Sequence, residues 1–186
     1  MDALDLLLTR DSATKLSEPA PSEAELDTMF QSAVRAPDHG RLRPWRFVVI
    51  DSGKRARFGE LMADALRRKD PAASAEALER ERAKPLRAPM IVVAAAHVQK
   101  GHRIPEMEQI AAAAAAAQNI MLAAHAMGYG AMWKTGEPAY DSGVKTALGL
   151  DAGDDIMGFL YVGTRGGAAS PAPRPAARDQ VTVWAG

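Results

Sequence analysis

The chain contains no cysteine. That excludes disulfides, thiolate metal sites, iron–sulfur clusters and a cysteine nucleophile. It has no excess of either charge: lysine plus arginine and aspartate plus glutamate both total 23, for a formal net charge of zero. General binders of nucleic acid or of membrane surfaces usually carry a basic surplus, so neither partner is expected. Long hydrophobic runs are missing as well. The longest apolar tract, 110–127, is mostly alanine and is interrupted by Gln118, Asn119 and His125. A bilayer span needs about 20 strongly apolar residues, so this tract reads as a buried or interface helix. The opening MDALDLLLTRD has only three consecutive leucines and carries acids, unlike a secretory signal. The cytoplasm is the default compartment.

Several catalytic signatures are absent too. His97 and His102 stand five apart, with no HExxH or paired-histidine pattern, so no metal site is expected. GxSxG does not occur, which removes a serine triad of that kind. GYG at 128–130 is not GxGxxG, and GTRGG at 163–167 lacks the Gly-Lys-Ser/Thr ending of a phosphate loop. No internal repeat stands out. What remains is a chain equipped for binding more than for acid–base work, in which a cofactor would carry the chemistry.

At 186 residues the chain fits a single domain, 1–186, with a core of useful size. Asp2 can cap a short helix ending near Thr9, with Leu4, Leu7 and Leu8 on one face. Ser22 and Glu25 form a capping box, followed by Leu26, Met29, Phe30, Ala33 and Val34 at helical spacing, until Pro37 stops the run. WRFVVI (45–50) reads as a strand. Asp51 and Ser52 could cap a helix through FGELMADALRRK, and 72–83 reads as an exposed, charged helix. MIVVAAA (90–96) is consistent with a buried central strand. The longest helix is expected over 106–127, closed by Gly128. GAMWKT reads as a strand, 141–148 as a short helix and IMGFLYVGT as another strand. The segment 166–186 has the composition of an extended, Pro/Ala-rich arm. Strands separated by prominent helices suggest a layered α/β or α+β domain.

Three stretches hold candidate binding chemistry. In TRDS, Arg10 offers a planar fork that matches phosphate oxygens and Ser12 a hydroxyl beside it; the alternative is solvated surface. In RAPDHGRLRPWRF (35–47), Arg35 and His39 stand four apart around Pro37; the alternative is a charged turn after a helix. In WKT, Trp133–Thr135, a strand end could present its backbone edge to a flat heteroaromatic ring, although Trp133 taken alone reads as core.

These stretches, together with LRAPMIVV, the helix leading into GYGAMWKTG, and GFLYVGT, occur in an order that resembles the nitroreductase family, over residues 1–164. The small YdjA-type branch looks closest, and RAPDH…PWRF is the most specific motif. The resemblance implies an α+β fold with a central, mainly antiparallel sheet flanked by helices, in an intertwined homodimer with one FMN at each of two interface sites. It implies FMN contacts from Arg10, Asp11 and Ser12, from Trp133, Lys134 and Thr135, and from Arg35 and His39 of the partner subunit. It assigns Ala123, Ala124, His125, Ala126, Met127 and Gly128 to the nicotinamide nucleotide. The implied activity is hydride transfer from NAD(P)H through FMN to a nitroaromatic, quinone or similar small acceptor, with no protein residue as catalyst. Two departures stand out. The family often has Arg-Arg-Ser where this chain has Arg10-Asp11-Ser12, and arginine where Lys134 stands. A dehydrogenase or flavin-fragmenting enzyme of the same fold, or an FMN-binding redox sensor with little turnover, remain the alternatives.

Overall fold

Short-range chemistry sets most of the element boundaries. Asp2 accepts hydrogen bonds from the backbone N–H groups of Leu4 and Asp5 and so starts α1 (Ala3–Thr9). Ser22 and Glu25 close the expected capping box on α2 (Glu23–Ala33), satisfying N–H groups that have no partner inside the helix. The next helix, α3 (Arg55–Lys69), begins without a side-chain cap. Asp51 instead accepts from the N–H groups of Gly53 and Lys54, stabilising the turn ahead of the helix. Ser74 caps α4 (Ala75–Ala83), so residues 72–74 lie outside the helix expected there. The long helix α5 (Glu106–Ala126) ends at Gly128, whose φ of 85° lies in the left-handed region that glycine adopts without strain. Asp141 caps the short α6 (Ser142–Ala147). The structure is a computed structural model that describes residues 1–167, 173–174 and 176–186.

Among the described residues five strands form one sheet: β1 (Leu16–Ser17), β2 (Trp45–Ile50), β3 (Met90–His97), β4 (Tyr129–Lys134) and β5 (Asp154–Arg165). Every pairing is antiparallel. The long β5 pairs with both β3 and β4, β2 pairs with β3, and β1 adds to the last two residues of β5. Of the two classes the residue pattern allowed, the fold is α+β.

Each face of the sheet carries its own apolar layer. On one side Ile91, Val93, Phe159 and Tyr161 pack with Phe58 and Met62 of α3 and Val144 of α6. On the other, Val92, Ala94, Leu160 and Val162 pack with Met29 and Ala33 of α2 and Ala116, Ala117 and Ile120 of α5. The strand β3 is therefore buried on both faces, as its unbroken apolar run implies. Within the alanine tract, Ala112, Ala113, Ala116 and Ala117 are buried inside the chain itself. Small side chains let α5 close on its own sheet, which accounts for those four alanines without a second subunit. The leucines of α1 behave differently: Leu4, Leu7 and Leu8 are all exposed.

Residues 168–172 and 175 of the expected arm lie outside the described residues. Within the described part, Ala177–Gln180 forms a 3-10 turn, so the polyproline-like reading does not hold there. Among the described residues no helix is long and apolar enough to cross a membrane.

Candidate functional site

The site begins with the alternation of side chains along β4. Ala131 and Trp133 pack on the side of α2 and α5, while Met132 packs on the opposite side with Tyr161. There a cleft opens in two adjoining lobes, of about 210 and 320 Å³. Arg87, Lys134 and Tyr161 line both. Ala13, Thr14, Leu16 and Met132 complete one lobe, and Lys84, Thr135, Met62 and Phe159 are among the walls of the other. Among the described residues no carboxylate lines either lobe. The chamber is thus lined by cations, hydroxyls and apolar groups, a lining suited to an anionic or acceptor-rich ligand.

Ala13 and Thr14 reach this chamber by a close backbone approach, with residues 10–12 leading into it. The Ala13 N–H donates to the Ala131 carbonyl at 2.9 Å. A Cβ on Gly130 would meet Ala13 Cβ and Leu16 Cδ2 at 2.7 Å, so only glycine admits the segment this near the strand. Arg10 ends α1, and its buried Nη1 has no hydrogen-bond partner among the described residues. Ser12 is exposed. Asp11 is buried and turns both carboxylate oxygens onto the Arg165 guanidinium. Arg165, from the end of β5, thus stands beside the Arg10-Asp11-Ser12 stretch with its charge balanced by Asp11. Sequence reading missed it because Arg165 is far away in the chain.

The stretch Ala123–Gly128 forms the last turn and end of α5, next to α1. His125 Nε2 lies 3.3 Å from the Thr9 hydroxyl. Burial first, then the Arg165 guanidinium, holds the His125 imidazole below its ordinary value; Asp11 acts in the opposite sense and Arg10 adds to the lowering. Ala124 is buried, Ala123 and Met127 pack partly into the core, and Ala126 and Gly128 are exposed. His125 is the only side chain of the six with a ring nitrogen to offer.

Trp133 and the partner-assigned pair sit elsewhere. The indole Nε1–H of Trp133 donates to the Met157 carbonyl at 3.0 Å on the helical side, so its ring points away from the cleft. Arg35 is exposed just beyond α2. His39 Nδ1 lies 2.6 Å from Glu108 Oε2, in the first turn of α5. Glu108 and His125 are 17 positions apart on one helix, which at 1.5 Å per residue separates them by about 25 Å. Within one chain Arg10, Asp11, Ser12 and His125 cluster by the end of β5, Lys134 and Thr135 stand at the other end of β4 in the chamber wall, and His39 lies at the far end of α5.

Sequence reasoning missed Thr14, Lys84, Arg87 and Tyr161. Arg87 stands in LRAPMIVV immediately before a central strand, a position from which a cation reaches over the sheet; that signal was present. Tyr161 sits in the apolar run GFLYVGT, where a tyrosine looks like core. Away from the cleft, His97, Asp151 and Asp154 bring a ring nitrogen and two carboxylates within 4.8 Å of one another. His97 Nδ1 is bonded to Asp154 Oδ1 at 2.7 Å, which ties the end of β3 to the start of β5.

Fold and site together define an α+β protein with a cation-lined cleft on one face of an antiparallel sheet. Residues 7–164 match the nitroreductase family, and the chain belongs to that family. It is 37% identical over 166 residues to the Escherichia coli K12 protein named "Putative NAD(P)H nitroreductase YdjA", covering 88% of each chain. Among solved structures, a nitroreductase-like family protein from Bacillus cereus superposes with a TM-score of 0.85 at 22% identity, covering 100% of this chain and 97% of that one. A nitroreductase with bound FMN from Bacteroides fragilis gives 0.77 at 18% identity and 99% coverage of both. At these identities the two structures establish the fold.

Proposed function

We propose that the chain is an FMN-dependent oxidoreductase that acts as a homodimer, passing hydride from NAD(P)H to a nitroaromatic, quinone or similar small acceptor. The observation that carries the cofactor is Arg10. A buried guanidinium nitrogen without a partner is costly, and a phosphate would supply the charge-assisted bond it lacks. The other residues fit the same group. Ser12 offers a hydroxyl near Arg10, and the chamber beyond is lined without carboxylates that would repel a phosphorylated ligand. When bound, FMN supplies the two-electron chemistry.

The roles of the chain's own residues follow from their places. Arg10 and Ser12 hold phosphate, while Asp11 acts through Arg165. Lys134 and Arg87 keep positive charge in the chamber, which favours a negatively charged reduced ring. Trp133 and Thr135 contribute the strand edge. Arg35 and His39 serve the site of a second subunit, since His39 cannot reach Arg10 within one chain. Ala123–Gly128, beside the phosphate end, is the proposed nicotinamide-nucleotide contact, with His125 as its polar group. The proposal takes 1–186 as one domain, with 166–186 as an arm, in the cytoplasm. Family membership and the YdjA relative's name support this reading.

Purified protein should be yellow, and the flavin it releases should be FMN rather than FAD. NADH or NADPH should be consumed when an acceptor is added. A protein that stays colourless with FMN at high micromolar concentration overturns the proposal.

A further inference from the structure

Tyr161 belongs to the chamber but has no role in the reading above. Its residue exposure is 3%, and its ring lies in the apolar layer with Met62 and Phe159. It lines both lobes of the cleft, yet its hydroxyl has no hydrogen-bond partner among the described residues. The hydroxyl opens into the cleft, where a ligand with an acceptor can take its hydrogen bond in place of water. Burial pushes its pKa up to about 12, so near neutral pH it stays a protonated donor. Arg87 and Lys134, which share the cavity walls with it, have no carboxylate partner among the described residues, whereas Lys84 is paired with Glu81. The chamber thus sets a phenol and two unpaired cations together, all of them donors.

We propose that Tyr161 is a flavin-ring ligand whose O–H donates a hydrogen bond to the carbonyl and ring-nitrogen edge of FMN, beside Arg87 and Lys134. That edge is the part of the ring rich in acceptors; the dimethylbenzene edge has none. The inference rests on the cleft being the flavin site. It is independent of the role of Arg10 at the phosphate. A neutral donor gains strength as its acceptor becomes negative, so Tyr161 favours the reduced ring and raises its potential.

Tyr161→Phe keeps the ring and removes only the oxygen. Because the hydroxyl has no partner among the described residues, apoprotein stability should be unchanged or higher. FMN and riboflavin should both bind roughly two- to tenfold more weakly, by the same factor, the loss of one ordinary hydrogen bond. The midpoint potential should become more negative. Arg10→Ala is the control, weakening FMN while sparing riboflavin, which has no phosphate. If Tyr161→Phe changes neither affinity nor potential while Arg10→Ala keeps its selective effect, the inference falls and the flavin site stands. If neither variant alters flavin binding, both fall. A Phe variant that loses apoprotein stability or fails to fold overturns the ligand role in favour of a structural one. Replacing the three tyrosines with 3-fluorotyrosine gives a stronger donor at position 161 and should move the potential the other way; no shift overturns the proposal.

Discussion

Asp11 and Arg165 lie 154 positions apart and meet as a two-pronged ion pair, with Arg165 Nη1 3.1 Å from Asp11 Oδ2 and Nη2 on the other oxygen. The carboxylate is 5% exposed and the guanidinium 19%. The pair pins residues 10–14 to the end of β5. Arg165→Ala should lower stability by about 1.5–3 kcal/mol, the range for hydrogen bonds to a charged group. Urea unfolding measures it, and an unchanged midpoint would show that the segment is held by its backbone alone.

Removing Arg10 acts on the ligand more than on the fold. Arg10→Ala deletes a charge-assisted phosphate contact of about 1.5–3 kcal/mol, or roughly ten- to a hundredfold in FMN affinity. Fluorescence titration reads this directly. Equal affinity in both proteins would return Arg10 to an ordinary helix-end residue.

The separation of about 25 Å along α5 predicts that activity can be restored by mixing two inactive proteins. One carries Arg10→Ala with Lys134→Ala, the other Arg35→Ala with His39→Ala. In a mixed dimer one site collects all four changes and the other collects none. Random exchange makes about half the dimers mixed, so about a quarter of the sites should be intact. Verified exchange without recovered activity would mean that no site is shared.

Asp141 predicts an acid limb in stability. Arg68 Nε lies 2.9 Å from Asp141 Oδ2, and Asp141 also accepts from the Val144 N–H at 2.8 Å. The hydrogen bond from Arg68 holds the carboxyl below its ordinary 3.8. A lowered acid stabilises fully above its unfolded value and loses that contribution as pH falls through its folded value. Asp141→Asn keeps a capping oxygen but loses the charge. It should be less stable than the parent at pH 7, with the difference shrinking toward pH 3. Parallel unfolding curves at several pH values decide the matter, and a constant difference would refute it.

Much of the fold was legible because its signals are local. The Ser22–Glu25 box, the run 90–96 and the glycine after α5 each act within a few residues. The two-residue β1 escaped because it exists only through pairing with β5. The site divided along the same line. Arg10, Lys134 and Thr135 sit in motifs that a family resemblance marks. Arg165 and Tyr161 owe their positions to antiparallel pairing over long separations, and no local pattern distinguishes them from a surface arginine and a core tyrosine. The orientation of Trp133 was readable in principle, since a strand cannot send Met132, Trp133 and Lys134 to the same face.

Met132 and Lys134 border the chamber, while Ala131 and Trp133 are built into the helical layer behind it. Substitutions at 132 and 134 can therefore remodel what the chamber admits without disturbing the layer beneath. A one-residue insertion in the strand would do the reverse, turning an indole toward the ligand and an ammonium into hydrocarbon. The layer behind the cleft thus tolerates a change in the side chains at 132 and 134, but not a change in the length of the strand that carries them.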